Sequence, residues 1–236
     1  MHTRSSFDVF SANYTEVINS VLSFTGADRA TYAKLRVEEL KKTVKLHTDK
    51  PILRVLDFGC GDGTTTLLIR SLFNADVIGV DSSHKSLEVA QKNFGSDRIT
   101  FAHEDDVQKF KPFDLVYCNG VFHHISPDKR APTIEIIKDS LAPNGLFGFF
   151  ENTPWNPGTR LVMREIPFDK NAIVISPIQI KRMLAKCGFK VLATRYLFSI
   201  PPFLGPLFFL DGYLRWLPIG GQYLVLGKNR DDYFAI

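Results

Sequence analysis

The 236-residue chain carries 29 Lys and Arg against 25 Asp and Glu, a formal charge of +4, with 44% hydrophobic and 23% charged residues. That composition fits one globular domain, and its basic residues are dispersed rather than gathered into a run, which argues against a nucleic-acid partner. Cys60, Cys118 and Cys187 show no metal-ligand spacing and the start Met1-His2-Thr3-Arg4 has no apolar signal core; no metal, reduced thiols and a cytoplasmic location are expected.

Residues 7–24 place Phe10, Tyr14, Val17, Ile18, Val21 and Leu22 near one helical face, and Asp28 has the chemistry of an N-cap for a second helix reaching about Leu46. Both belong to an expected N-terminal helical cap, residues 1–48, with Tyr14 either touching a bound nucleoside or packing on the sheet. Leu53-Arg54-Val55-Leu56 then reads as a buried parallel strand ending in Asp57. It runs into Gly59-Cys60-Gly61-Asp62-Gly63, and Thr64 to Leu72 follows with helical spacing at Leu67, Leu68, Ser71 and Leu72. In such a turn glycine permits positive φ and lets a nucleotide approach the backbone closely.

Charge selects the nucleotide. The dinucleotide fingerprint Gly-x-Gly-x-x-Gly would need glycine where Thr64 stands, and its pyrophosphate would meet Asp57, Asp62 and Asp81. A unit charge pair at about 4 Å and an effective dielectric near 20 is worth roughly 4 kcal/mol before solvent reduces it. The sign disfavours NAD and favours a cation such as S-adenosylmethionine, which carries a sulfonium and an ammonium and no phosphate.

Asp76-Val77-Ile78-Gly79-Val80-Asp81 is a second short strand ending in an acid, Ile99 to Asp106 a third, and Phe113 to Ile125 a fourth with the loop Asn119-Gly120-Val121-Phe122-His123-His124 behind it. With Val55 to Gly63 and Leu141-Ala142-Pro143-Asn144-Gly145, these segments resemble, in order, the motifs of the class I S-adenosylmethionine-dependent methyltransferases. The resemblance covers residues 50 to 195. It implies an α/β, doubly wound, Rossmann-like fold: a seven-stranded, mostly parallel sheet with the last strand antiparallel and helices on both faces. It also implies a cofactor site of Asp57, Gly59, Cys60 and Gly61, with Asp81 and Ser82 at the ribose. Asp105 or else Asp106, with Val107, would sit at the adenine, and Asn119 and Gly120 at the methionine end.

His123 and His124 lie where this resemblance puts the methyl group, and imidazole, with an ordinary pKa near 6.5, can take a proton from an acceptor. His123 is the first choice for a general base, though one ring could only hold the loop, and in-line displacement can proceed on proximity alone. Glu151 and Asn152 read as following the fifth strand, and residues 156–176 as a long connection in which Arg160 and Arg164 either bind an anion or face solvent. Pro177 to Ala185 is a helix ended by Gly188; Lys190 to Phe198 and Gln222 to Lys228 are the last strands.

The expected single domain divides into the cap, a cofactor core 50–198, an apolar insertion 199–220 and a last strand and tail 221–236. Within the insertion, residues 200–218 are aromatic-rich and too interrupted by proline to span a bilayer. They suggest a lid or docking surface for a lipophilic acceptor, or for the membrane holding it, with Arg215 and Trp216 near the interface; the alternative is a helix on the sheet or a dimer contact. The function expected is methyl transfer to a small-molecule or lipid-linked acceptor. A non-catalytic cofactor-binding or regulatory module on the same fold remains the alternative.

Overall fold

A computed structural model describes residues 14–22, 26–169 and 172–230. Helices α1 (Tyr14–Leu22) and α2 (Arg29–Lys45) precede a βα series: β1 (Arg54–Phe58), α3 (Thr64–Phe73), β2 (Asp76–Asp81), α4 (His84–Phe94), β3 (Ile99–His103), β4 (Phe113–Asn119), α5 (Pro127–Ser140) and β5 (Leu141–Asn152). Helix α6 (Pro157–Glu165), helix α7 (Pro177–Lys186), β6 (Phe189–Leu197) and β7 (Gln222–Asn229) complete it.

The sheet has seven strands in the order β3-β2-β1-β4-β5-β7-β6. Strands β1 to β5 run parallel, and β7 lies antiparallel between β5 and β6. The expected fold class is met. Because β2 and β4 flank β1 on opposite sides, the chain reverses its winding there, and a crevice opens beyond the carboxyl ends of β1 and β4. The glycine turn leaves β1 and the Asn119-Gly120 loop leaves β4 at that point.

Alternation along the central strands splits the interior into two layers. Leu56, Val116, Phe147 and Phe149 pack on one face with Ile134, Ile137 and Ile180, from α5 and α7. Val55, Leu115, Tyr117 and Phe150 pack on the other with Val37, Leu40 and Val44 of α2 and Ile69 of α3. Helix α2 therefore forms part of one layer of the fold. Its N-cap is Asp28, whose carboxylate accepts from the Thr31 N–H at 2.8 Å. Helix α3 is rotated from expectation: Thr66 and Ile69 are its buried positions, and Leu67 is exposed.

Three further local readings change. Glu151 and Asn152 lie inside β5 rather than beyond it. The long connection contains α6 and a 3-10 turn, Pro167–Asp169, with Arg160 and Arg164 exposed to solvent. Residues 202–213 form 3-10 turns kinked at Gly205, not a helix on the sheet. Asp211 holds this segment by accepting backbone N–H groups of Phe198, Ser199 and Ile200. Arg215 is ion-paired with Glu39 of α2 and does not reach outward, whereas Leu207, Phe209, Tyr213 and Trp216 are exposed. Among the described residues no helix is long and apolar enough to cross a membrane.

Candidate active site

The turn after β1 is pinned to its neighbour strand before any ligand is considered. The N–H groups of Gly59 and Cys60 donate to the Val80 carbonyl at 2.8 and 2.9 Å, and that of Gly61 donates to Asp81 Oδ2 at 2.8 Å. Gly59 and Gly61 have φ of 79° and 55°, in the left-handed region that side chains strain. A Cβ on Gly61 would project into open space, so the face of this turn is bare backbone. At Gly59 it would collide with Val121 of the loop after β4, which shows how closely the two loops approach.

The acids around the turn behave differently from one another. Asp57 is buried and accepts the Thr66 hydroxyl at 2.6 Å; burial, offset in part by Thr66 and reinforced by Asp81, raises its pKa to about 7. Asp62 is held in a two-toothed pair by Arg29 at the start of α2, at 2.5 and 3.0 Å. Burial opposes its charge, but the guanidinium prevails and its carboxyl lies below the ordinary range. The turn is thus less acidic than three free carboxylates would make it: one is paired and one is half-protonated near neutrality.

Asp81 accepts from Gly61 and from the Ser83 N–H at 2.9 Å, and burial raises its pKa despite those bonds. The expected adenine-side residues are placed differently from one another. Asp105 is turned to solvent against His103, Asp106 pairs with Lys109, and the Val107 side chain is core. The 3-10 turn of residues 104–109 rotates all three away, and Glu104 is instead the acid close enough to Asp81 for the carboxylates to repel. Asp81, Ser82, Asp105, Asp106 and Val107 do not line the main cavity, while Asp57, Gly59, Cys60, Gly61, Asn119, Gly120, His123 and His124 do. The side chain of Tyr14 lies outside the described residues.

This cavity, of about 440 Å³, extends from the glycine turn past the loop after β4 to an apolar wall of Val162, Met163, Ile166 and Phe168 from α6 and its following turn. Ile18 and Leu22 of α1 and Pro201 at the edge of the aromatic segment also line it. Arg36 of α2 reaches it, donating through one guanidinium nitrogen to Gln222, while its buried Nε has no hydrogen-bond partner. Nothing in the local pattern of α2 singled out Arg36 or Arg29; both act across the turn between helix and sheet.

His123 is the buried centre. Its Nδ1 lies 2.7 Å from Glu151 Oε1, its backbone N–H donates to Glu151 Oε2 at 3.3 Å, and its Nε2 faces Asp169 Oδ1 at 3.4 Å. His124 Nε2 lies 3.3 Å from the same oxygen. Burial works against the charged ring, but Glu151 and then Asp169 outweigh it and raise the His123 pKa to about 10. For Asp169, burial is likewise overcome by the two imidazoles, and its carboxyl is held low. A ring that keeps its proton at neutral pH has no lone pair to offer, which counts against the expectation of a general base. Asp169, in the stretch read as a plain connection, was missed; only the return of the chain after α6 brings it to the histidines.

Residues 55–145 match the family model of a methyltransferase domain. Over 119 residues the chain is 33% identical to a trans-aconitate 2-methyltransferase of Rhizobium leguminosarum bv. trifolii, covering 49% of this chain and 46% of that protein. Over 98 residues it is 30% identical to the cyclopropane-fatty-acyl-phospholipid synthase of Escherichia coli, covering 42% and 26%. The chain thus spans less than half the length of these curated relatives. The magnesium protoporphyrin IX methyltransferase of Synechocystis, solved with bound S-adenosylhomocysteine, superposes with a TM-score of 0.62 at 16% identity over 94% of this chain and 97% of that one, a likeness of fold. With the sheet order and the glycine turn already described, residues 55–145 are similar to the methyltransferase domain family, and the fold is that of S-adenosylmethionine-dependent methyltransferases.

Proposed function

We propose that the chain transfers a methyl group from S-adenosylmethionine to a small-molecule or lipid-linked acceptor. The reading rests on one observation: a single cavity joins the bare glycine turn to the loop after β4 and continues to an apolar wall from α6 and its following turn. The residues fit the cofactor. Gly61 leaves the volume a nucleoside would fill, Asp57 offers a carboxylate to the cationic end, and Arg36, which lines the same cavity, offers a guanidinium to the carboxylate of the methionine end. Asp81 has its second lone pairs for ribose hydroxyls.

When bound, the cofactor supplies an electrophilic methyl on sulfur, which an acceptor displaces in line. The chain's part is alignment and exclusion of water. Asn119 and Gly120 bring the loop against the turn, and the Val162, Met163, Ile166 and Phe168 wall favours an acceptor with an apolar body. His123, clamped as imidazolium, fixes this loop rather than removing a proton. The exposed Phe209, Tyr213 and Trp216 follow Pro201, which lines the cavity, and their apolar surface supports a lipophilic acceptor, or a membrane surface that delivers one. The division into cofactor core and apolar insertion is part of the same proposal.

Calorimetry with S-adenosylhomocysteine, followed by transfer of labelled methyl to small carboxylic acids and to acyl or isoprenoid acceptors with and without anionic vesicles, tests this. Binding of the adenosyl ligand and labelling of an apolar acceptor are expected. Absence of adenosyl binding would remove the reading, and labelling confined to polar acceptors would remove its lipophilic half.

A further inference from the structure

We propose that His123, His124 and Asp169 form a binding site for a divalent first-row transition cation, opening into the acceptor cavity. One ligand atom from each residue lies within 4.8 Å of the others. The two measured edges, His123 Nε2 to Asp169 Oδ1 at 3.4 Å and His124 Nε2 to Asp169 Oδ1 at 3.3 Å, are long for hydrogen bonds. They match the edge of about 3.3 Å that a tetrahedron with metal–ligand bonds of about 2.0–2.1 Å requires.

A second, independent observation points the same way. Asp169 Oδ1 is buried and makes no hydrogen bond of good geometry, its neighbours being the two imidazole Nε2 atoms at 3.3 and 3.4 Å. Such an atom is costly to leave unmatched, and a cation is the partner both rings and the carboxylate can share. Glu151 supplies what a ligating histidine ordinarily has behind it: its carboxylate takes the Nδ1 side of His123 at 2.7 Å and leaves Nε2 to face the site. Two imidazoles and one carboxylate suit zinc, cobalt or iron(II) better than magnesium or calcium, which prefer oxygen.

All three residues line the cavity, so the fourth position points where an acceptor would lie. A cation there displaces the proton of His123 Nε2 to solvent and turns a charge-paired latch into a Lewis acid. An acceptor with a hydroxyl, carboxylate or enol oxygen could then be held and acidified beside the methyl donor. The inference goes beyond the methyl-transfer reading and is tested without a methyl donor.

Untagged chain stripped with chelator is titrated with Co²⁺ alone, following the visible ligand-field band. One equivalent is expected, displaced by Zn²⁺. Glu151→Gln should weaken it about 10–100-fold, and His124→Ala and Asp169→Asn should weaken it further. His103→Ala, in the unrelated stacked pair with His84, should leave it unchanged. Far-ultraviolet circular dichroism and S-adenosylhomocysteine binding report that each variant is folded. No stoichiometric band, or a band insensitive to both His124→Ala and Asp169→Asn, overturns the site and leaves the methyl-transfer reading standing. Loss of adenosyl binding alone has the opposite consequence.

Discussion

Replacing Glu151 by Gln isolates the charge that keeps His123 protonated. Glutamine has the same shape and can still accept from Nδ1 and from the Asn152 N–H, which donates to Glu151 Oε1 at 2.8 Å. The charge at 2.7 Å is lost from a fully buried carboxylate, together with the weaker acceptor that Oε2 offers the His123 N–H at 3.3 Å. An opposite charge at such range moves a pKa by about 1–3 units, so the variant should lose about 1.4–4 kcal/mol at neutral pH. In the native chain the folded value, about 10, lies above the ordinary 6.5. The imidazolium contribution is therefore complete below about pH 6.5 and is lost as pH rises towards 10, with a slope near 1.4 kcal/mol per pH unit. Urea unfolding of both chains from pH 6 to 10.5 in chelator, with the His123 ring followed by NMR, measures this. The gap between native chain and variant should be widest below about pH 7 and close, or reverse, near pH 10. A His123 titration near 6.5, or a gap independent of pH, would refute the clamp.

Gly61→Val should abolish S-adenosylhomocysteine binding at a stability cost of only about 1–2 kcal/mol, because the added side chain fills open cofactor space and is strained at φ 55°; calorimetry beside thermal unfolding separates the two. Since burial raises Asp57 to about 7, the affinity for the cationic methyl donor relative to S-adenosylhomocysteine should grow between pH 6 and 8, and this trend should vanish in Asp57→Asn; equal ratios at both pH values in the native chain would exclude Asp57 as the partner of the sulfonium. Asp211→Ala strands three backbone N–H groups and should cost at least about 1–3 kcal/mol, with faster amide exchange at Phe198 to Ile200. Phe209→Ser with Trp216→Ser should weaken vesicle binding by tenfold or more while leaving adenosyl affinity intact; co-sedimentation unchanged by the pair would place the lipid surface elsewhere.

Most of the frame was legible because its signals are local. An apolar run, a glycine turn and a helix occupy consecutive residues 54–73, and the same logic places Asp81 and Asn119-Gly120 at strand ends, so the chain's own order names the crevice. The 3-10 turn after β3 defeated the same reasoning: three acids in a row say nothing about which one faces inward, and a rotation of about 120° per residue sends Asp105 out to solvent. Charge state is still less local. Asp62 is paired with Arg29, His123 is set between Glu151 and Asp169, and Arg36 enters the cavity from a helix read as a cap. The sequence by itself determined the fold class and the end of the sheet where the crevice opens, and it named the methyl donor to expect there. Only the tertiary structure decided which carboxylates are neutralised and which imidazole keeps its proton, because Coulomb energies and desolvation depend on what distant segments bring within a few ångströms.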